Sequence, residues 1–176
     1  MKQTEIPLLG FAAFSGTGKT TLLKQVIPIL KSQGLRLGMI KHAHHEFDID
    51  HPGKDSFELR KAGADAMLIA SSQRWALMVE TPHQPDAQLA DLVAEISRQQ
   101  PDLILVEGFR HVAFPKIELH RPALGHPYLH LQDKSILALA SDEPASVECP
   151  IPVLDLNNPL QIADFILKEI LNKTGS

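Results

Sequence analysis

At 176 residues, 44% hydrophobic and 22% charged, the chain has the size and balance of one globular domain with a substantial core. Its net charge of −4 disfavours a broad surface for nucleic acid or anionic membrane, and no run approaches the ~20 apolar residues of a membrane span. Cys149 is the single cysteine, which excludes an internal disulfide and a cysteine-based zinc cluster; it precedes Pro150 and carries no nucleophile signature. Residues 1–5 are polar and the apolar run after them is broken by glycine, so no secretory leader is expected and the cytoplasm is the expected location.

Residues 6–13 form a continuous apolar run, expected to be a buried strand. It runs into Ala13-Phe14-Ser15-Gly16-Thr17-Gly18-Lys19-Thr20, with Thr21 behind it. This matches the phosphate-loop pattern G-x-x-x-x-G-K-[ST] at every fixed position but the first, where alanine stands. Gly16 and Gly18 permit backbone angles closed to other residues and let main-chain N–H groups of residues 15–21 approach an anion. Lys19 can reach the outer phosphates, and the Thr20 hydroxyl can ligate Mg²⁺. The bland alternative is a glycine-rich strand-to-helix turn with a solvated lysine.

A helix is expected over residues 18–33, with Leu22, Leu23, Val26, Ile27 and Leu30 on one face; Pro28 should kink or end it. Residues 35–41 read as a second strand. The stretch after it holds four histidines in ten residues, His42, His44, His45 and His51. It reads either as a loop over a nucleotide, with Lys41 and His42 near phosphates and Asp48 and Asp50 near Mg²⁺ waters, or as a transition-metal site. Residues 54–62 form a short helix in which Asp55, three residues before Glu58, is either an N-cap or a metal ligand.

Residues 66–70 and 75–80 are expected strands joined by a polar turn, a hairpin excursion in which Trp75 packs. A helix over 86–99 follows. Residues 102–108, Asp-Leu-Ile-Leu-Val-Glu-Gly, read as a strand buried on both faces and ending in an acid. Glu107 would then hold Mg²⁺ through water or orient a water at the terminal phosphate. Arg110 and His111 follow on the ligand side. Residues 115–120 are another strand, 121–127 a Pro/Gly/His-rich turn with no evident role, and 135–140 a strand leading to Asp142. That carboxylate can accept from the ring N–H and exocyclic amine of guanine, or can simply be a turn residue before Pro144. A short strand over 151–154 precedes a helix capped by Asn158 with Pro159 first, running to about residue 171.

The run from Phe11 through Leu23 resembles the MobB family, the adapters of molybdopterin-guanine dinucleotide biosynthesis. So do Ile40-Lys41-His42 with His44-His45, Pro52-Gly53-Lys54-Asp55-Ser56, Leu59 to Ala64, and Leu105-Val106-Glu107-Gly108-Phe109. The resemblance reaches to about residue 155 and accommodates alanine at position 13. It implies an α/β fold of the P-loop NTPase type. This is a three-layer αβα domain over residues 1–176, with a mostly parallel sheet and an extra β-hairpin. It also implies GTP and Mg²⁺ as ligands, weak GTPase activity and a homodimer. The implied partner is the MobA-type guanylyltransferase that joins GMP to molybdopterin. On these residues Lys19 and Glu107 are catalytic candidates. Ser15, Gly16, Thr17, Gly18, Lys19, Thr20, Thr21 and Asp142 are nucleotide contacts, and Thr20, Asp55 and Glu107 are metal ligands. No Asn-Lys-x-Asp guanine motif is evident. Arg60 and Arg110 are the arginines that could complete a hydrolytic site. A P-loop small-molecule kinase or ligase of the dethiobiotin-synthetase type and a histidine-based metal module are the rival readings.

Overall fold

The computed structural model describes residues 6–43, 47–83 and 86–171. Two compact units emerge: residues 1–42 with 88–176, and residues 43–87 between them. The first unit is built on a parallel six-stranded sheet of β1 (Leu8–Ala12), β2 (Leu37–Lys41), β5 (Leu103–Glu107), β6 (Lys116–His120), β7 (Ile136–Ser141) and β8 (Val153–Asp155). Its order is β2-β5-β1-β6-β7-β8. From β1 the chain steps out to β2 on one side, and from β5 it crosses β1 to β6 on the other, so the carboxyl ends around β1 form the crevice in which parallel α/β sheets hold ligands.

β5 shows why the sheet is buried on both faces. Leu103 and Leu105 point into one cluster with Leu9, Phe11, Ile117 and Leu119, covered by α1 (Lys19–Ser32) and α4 (Pro159–Ile166). Ile104 and Val106 point the other way, towards Ile40, Leu89 and Phe114, with α3 (Leu89–Ser97) against them. All four β5 side chains are fully buried, as a continuous apolar run in a parallel sheet requires.

α1 continues through Pro28 to Ser32, where the sequence suggested a break. Proline removes one backbone donor, but Leu22, Leu23 and Val26 before it and Leu30 after it are all buried in one cluster, and that packing holds the helix together. α4 starts as expected: Asn158 Oδ1 accepts from the Gln161 N–H at 3.2 Å, and Pro159 takes the first turn. Beyond Ile166 the chain widens into a π-type turn over Leu167–Leu171.

The second unit contains α2 (Asp55–Lys61) and the antiparallel pair β3 (Ala66–Ala70) and β4 (Trp75–Val79). Its hub is Arg60, buried at 8% exposure. The guanidinium donates to Asp48 at 2.6 Å, Asp50 at 2.7 Å and Glu80 at 2.7 Å, tying loop, helix and strand end together. Two expectations change here. Asp55 is the first residue of α2 and not its cap; Lys54 stands at the cap without a side-chain bond, and Glu58 instead accepts from the Gly53 N–H at 3.2 Å. Trp75 is 54% exposed, because a two-stranded ribbon offers no second layer to bury it.

Candidate functional site: a phosphate loop and its braces

β1 ends at Ala12 and α1 begins at Lys19, so the loop spans six residues at the sheet's carboxyl edge. Gly16 at φ +80° and Gly18 at φ +100° hold left-handed conformations, and nothing lies within 4 Å of where a side chain at Gly16 would start. The loop is a cradle open on that side. Gly18 caps α1 with no side-chain bond, which leaves the first-turn N–H groups of Lys19, Thr20 and Thr21 for an anion. Ser15, Gly16, Thr20 and Thr21 are exposed. Thr17 is turned inward instead: its hydroxyl donates to the Phe14 carbonyl at 2.8 Å and it is 2% exposed.

Lys19 Nζ donates to the Ala13 carbonyl at 3.2 Å, its only hydrogen bond among the described residues. Burial pushes the ammonium below its ordinary pKa; Glu107 opposes this, while Arg110 and Lys41 add to it. Two further cations and one carboxylate thus act on the Lys19 ammonium, a balance that an anion would relieve. The register places Phe11 of β1 and Lys41 of β2 on either side of Glu107, so the acid sits one strand from the loop. Lys41 Nζ approaches Glu107 at 3.9 Å, and the His42 N–H donates to the Glu107 carbonyl at 2.8 Å. Gly108, at φ +100°, is required next: a side-chain carbon there would meet His42 Cβ at 2.5 Å. The residues present fit a nucleotide triphosphate with its cation: open amides, an under-paired lysine, the Thr20 hydroxyl and one nearby acid.

The turn that had no evident role supports the loop at two points. Arg121 Nε donates to the Thr17 carbonyl at 2.9 Å and Nη1 to Asp142 Oδ2 at 2.7 Å. His126 stacks on Phe14 with ring centroids 4.4 Å apart, and Arg110 lies 5.3 Å from the centre of that ring. Sequence reasoning missed Arg121; the signal was an arginine directly after a strand adjacent to β1. Asp142 follows β7, two strands from β1. Its Oδ1 is buried and has no partner among the described residues, a state that costs about 1–3 kcal/mol unless a ligand relieves it.

Other sequence candidates are distributed elsewhere. Asp55 is exposed and belongs to the second unit. Asp48, Asp50 and Arg60 are committed to one another. His44 and His45 lie outside the described residues. Cys149 Sγ lies 3.4 Å from His130 Nε2, and His130 Nδ1 donates to buried Glu118 at 2.8 Å, a contact the sequence did not suggest.

The family model for molybdopterin guanine dinucleotide synthesis protein B, MobB, matches residues 8–142. The molybdopterin-guanine dinucleotide biosynthesis adapter protein of Escherichia coli is 49% identical over 174 residues, covering 98% of each chain. The protein of the same description from Haemophilus influenzae is 42% identical over 162 residues, covering 92% of this chain and 88% of its own. Bacillus subtilis MobB shares the fold with a TM-score of 0.73 at 22% identity, over 93% of this chain and 98% of its own. With its phosphate loop and its β5 acid inside the matched region, the chain belongs to the MobB family.

Proposed function

We propose that this chain is a GTP-binding adapter, at most a slow GTPase, that assists the attachment of GMP to molybdopterin in molybdenum cofactor biosynthesis. The observation that carries the reading is unused hydrogen-bonding capacity at the sheet's carboxyl edge: Lys19 has a single backbone acceptor, and Asp142 Oδ1 is buried without a partner among the described residues. The first suits phosphate and the second suits the adjacent N–H and amine of guanine, a pair that adenine lacks. Main-chain N–H groups of Ser15, Gly16, Thr17, Gly18, Lys19, Thr20 and Thr21 line the phosphates. Thr20 and Glu107 would hold Mg²⁺, whereas Asp55, assigned to the metal from sequence, belongs to the second unit. When bound, the cation neutralises charge on the outer phosphates. Lys19 and Glu107 are the catalytic residues, through charge and the orientation of water. With Arg60 held by three carboxylates, Arg110 is the arginine left to assist hydrolysis.

The partner is a MobA-type guanylyltransferase carrying molybdopterin, and the whole of residues 1–176 acts as one nucleotide-binding domain in the cytoplasm. The active form is a homodimer. Cross-strand pairing puts Ala66, Leu68, Ala70, Trp75, Leu77 and Val79 on one face of the hairpin, and every one is exposed. An isolated two-stranded ribbon is marginal in water, and a second copy covering this face would bury it symmetrically.

Titration calorimetry with GTP and ATP, with and without Mg²⁺, tests the nucleotide. The rate of dinucleotide formation by the guanylyltransferase, with and without this chain, tests the adapter role. Equal GTP and ATP affinity together with an unchanged rate would end the proposal. One observation favours the kinase reading: a cavity of about 380 Å³ beside Phe14, Arg110 and Tyr128 has room for an acceptor. Phosphate release from GTP alone separates the two, since a kinase lacking its acceptor should be nearly idle.

A further inference from the structure

We propose that Arg121 is a positioning residue for base selectivity: its guanidinium fixes Asp142 to the phosphate loop, so that base recognition and phosphate binding are one rigid unit. This rests on the reading of Asp142 as the guanine contact. Pro122 restricts the preceding residue to extended backbone, and Arg121 has φ −122° and ψ 110°. From there the planar fork spans two acceptors on different elements, the Thr17 carbonyl at 2.9 Å and Asp142 Oδ2 at 2.7 Å. Nη2 lies 3.7 Å from where a side chain at Gly18 would begin, so the group sits against the loop's last turn.

Two consequences follow from that geometry, and a separate turn bond adds to them. The cation offsets the Asp142 charge beside a site meant for a polyanion. By engaging Oδ2 it leaves the buried Oδ1 as the oxygen with acceptor capacity to spare, for a base donor that reaches it. The Glu143 N–H bond to Ser141 Oγ at 3.1 Å steadies the turn carrying Asp142, so the carboxylate is held from both sides. Lysine cannot replace the fork, because one ammonium on a flexible stem does not fix two acceptors at a set angle.

The test is competition of GTP, ITP, ATP and XTP against a fluorescent guanine nucleotide, on the full chain, for wild type, Arg121→Gln, Arg121→Lys, Asp142→Asn and the Arg121→Gln/Asp142→Asn double variant. Circular dichroism of each variant confirms folding. Arg121→Gln should weaken both nucleotides through the lost Thr17 brace, but GTP roughly tenfold more than ATP, so that most of the preference for GTP is lost. Arg121→Lys should fall between it and wild type. In the Asp142→Asn background the glutamine change should add little, and Asp142→Asn should gain XTP, whose added carbonyl accepts from the amide. A selective wild type whose Arg121 variants lose GTP and ATP by one factor, or lose neither, overturns the coupling alone. A wild type that binds both bases equally overturns the guanine reading and the coupling with it. If only Arg121→Lys folds, a full wild-type preference in it overturns the proposal.

Discussion

Among the described residues of the first unit, Lys19 and Lys116 are the two lysines that are not exposed, and they differ in what surrounds the ammonium. Lys116, on β6, is fully buried, and its Nζ donates to the Val112 carbonyl at 2.7 Å, Asp133 Oδ2 at 2.8 Å and Ser135 Oγ at 2.7 Å. All three protons of the ammonium are used. Lys19 is less buried, yet has one long bond to a carbonyl. The same contrast holds for the acids: Glu118 accepts from the Leu129 and His130 N–H groups at 2.7 and 2.9 Å, whereas Asp142 keeps one oxygen bare. Burial of charge therefore does not mark function in this fold. The candidate site rests instead on spare hydrogen-bonding capacity at the sheet's carboxyl edge, because a saturated buried charge has nothing left to offer a ligand.

The strongest way to break this comparison is Lys116→Ala. It leaves Asp133 without its cation and should destabilise the fold by about 3–5 kcal/mol, read as a lower urea midpoint, while GTP affinity at low denaturant stays near wild type. A large loss of affinity with little loss of stability would reverse the assignment. Lys19→Ala should do the opposite: roughly 100-fold weaker GTP binding, about 3 kcal/mol, with an unfolding midpoint close to wild type. Glu107→Gln sharpens the picture, since it keeps shape but removes the acid. Roughly tenfold slower GTP hydrolysis is expected, with GTP binding in EDTA unchanged; a normal rate would remove Glu107 from the chemistry.

The smallest effect concerns acid. Burial raises the Asp133 pKa, but hydrogen bonds from Lys116 and Ser135 outweigh it, and the carboxyl lies below its ordinary value. The hydrogen bond from Arg60 likewise lowers Asp50. Both folded acids bind protons less tightly than the unfolded chain, so their contribution is present above the ordinary value of 3.8 and lost as pH falls through the folded values. Urea midpoints should be flat from pH 7 to about 5 and decline below about 4. In Asp133→Asn part of that decline should vanish.

How much was readable beforehand depended on distance along the chain. The glycine-rich loop could be recognised because its pattern is contained in eight positions and its glycines are needed for local backbone reasons, whereas Arg121 and His126, which brace it from a distance, could not. β5 was equally plain, since four consecutive apolar residues before an acid demand burial on both faces. The polar face of β6 was not: Lys116, Glu118 and His120 alternate with Ile117 and Leu119 and look like a strand half open to water. They are buried because residues 121–135 fold back across them and supply partners, as the Leu129 and His130 bonds to Glu118 show. The exposed hairpin face, with Trp75 on it, was misjudged for the converse reason, since an apolar ribbon is recognisable in sequence but the layer that would cover it is not.

Local chemistry alone thus settled the α/β class, the parallel sheet and the shape of the glycine-rich turn, since strand and glycine requirements are met by neighbours in the chain. Only the folded molecule decided which charges are spent and which are spare. Arg60 meets Asp48, Asp50 and Glu80, and Arg121 meets Thr17 across 104 positions and Asp142 across 21. Such partners are chosen by strand order and loop path, and no spacing in the sequence encodes them.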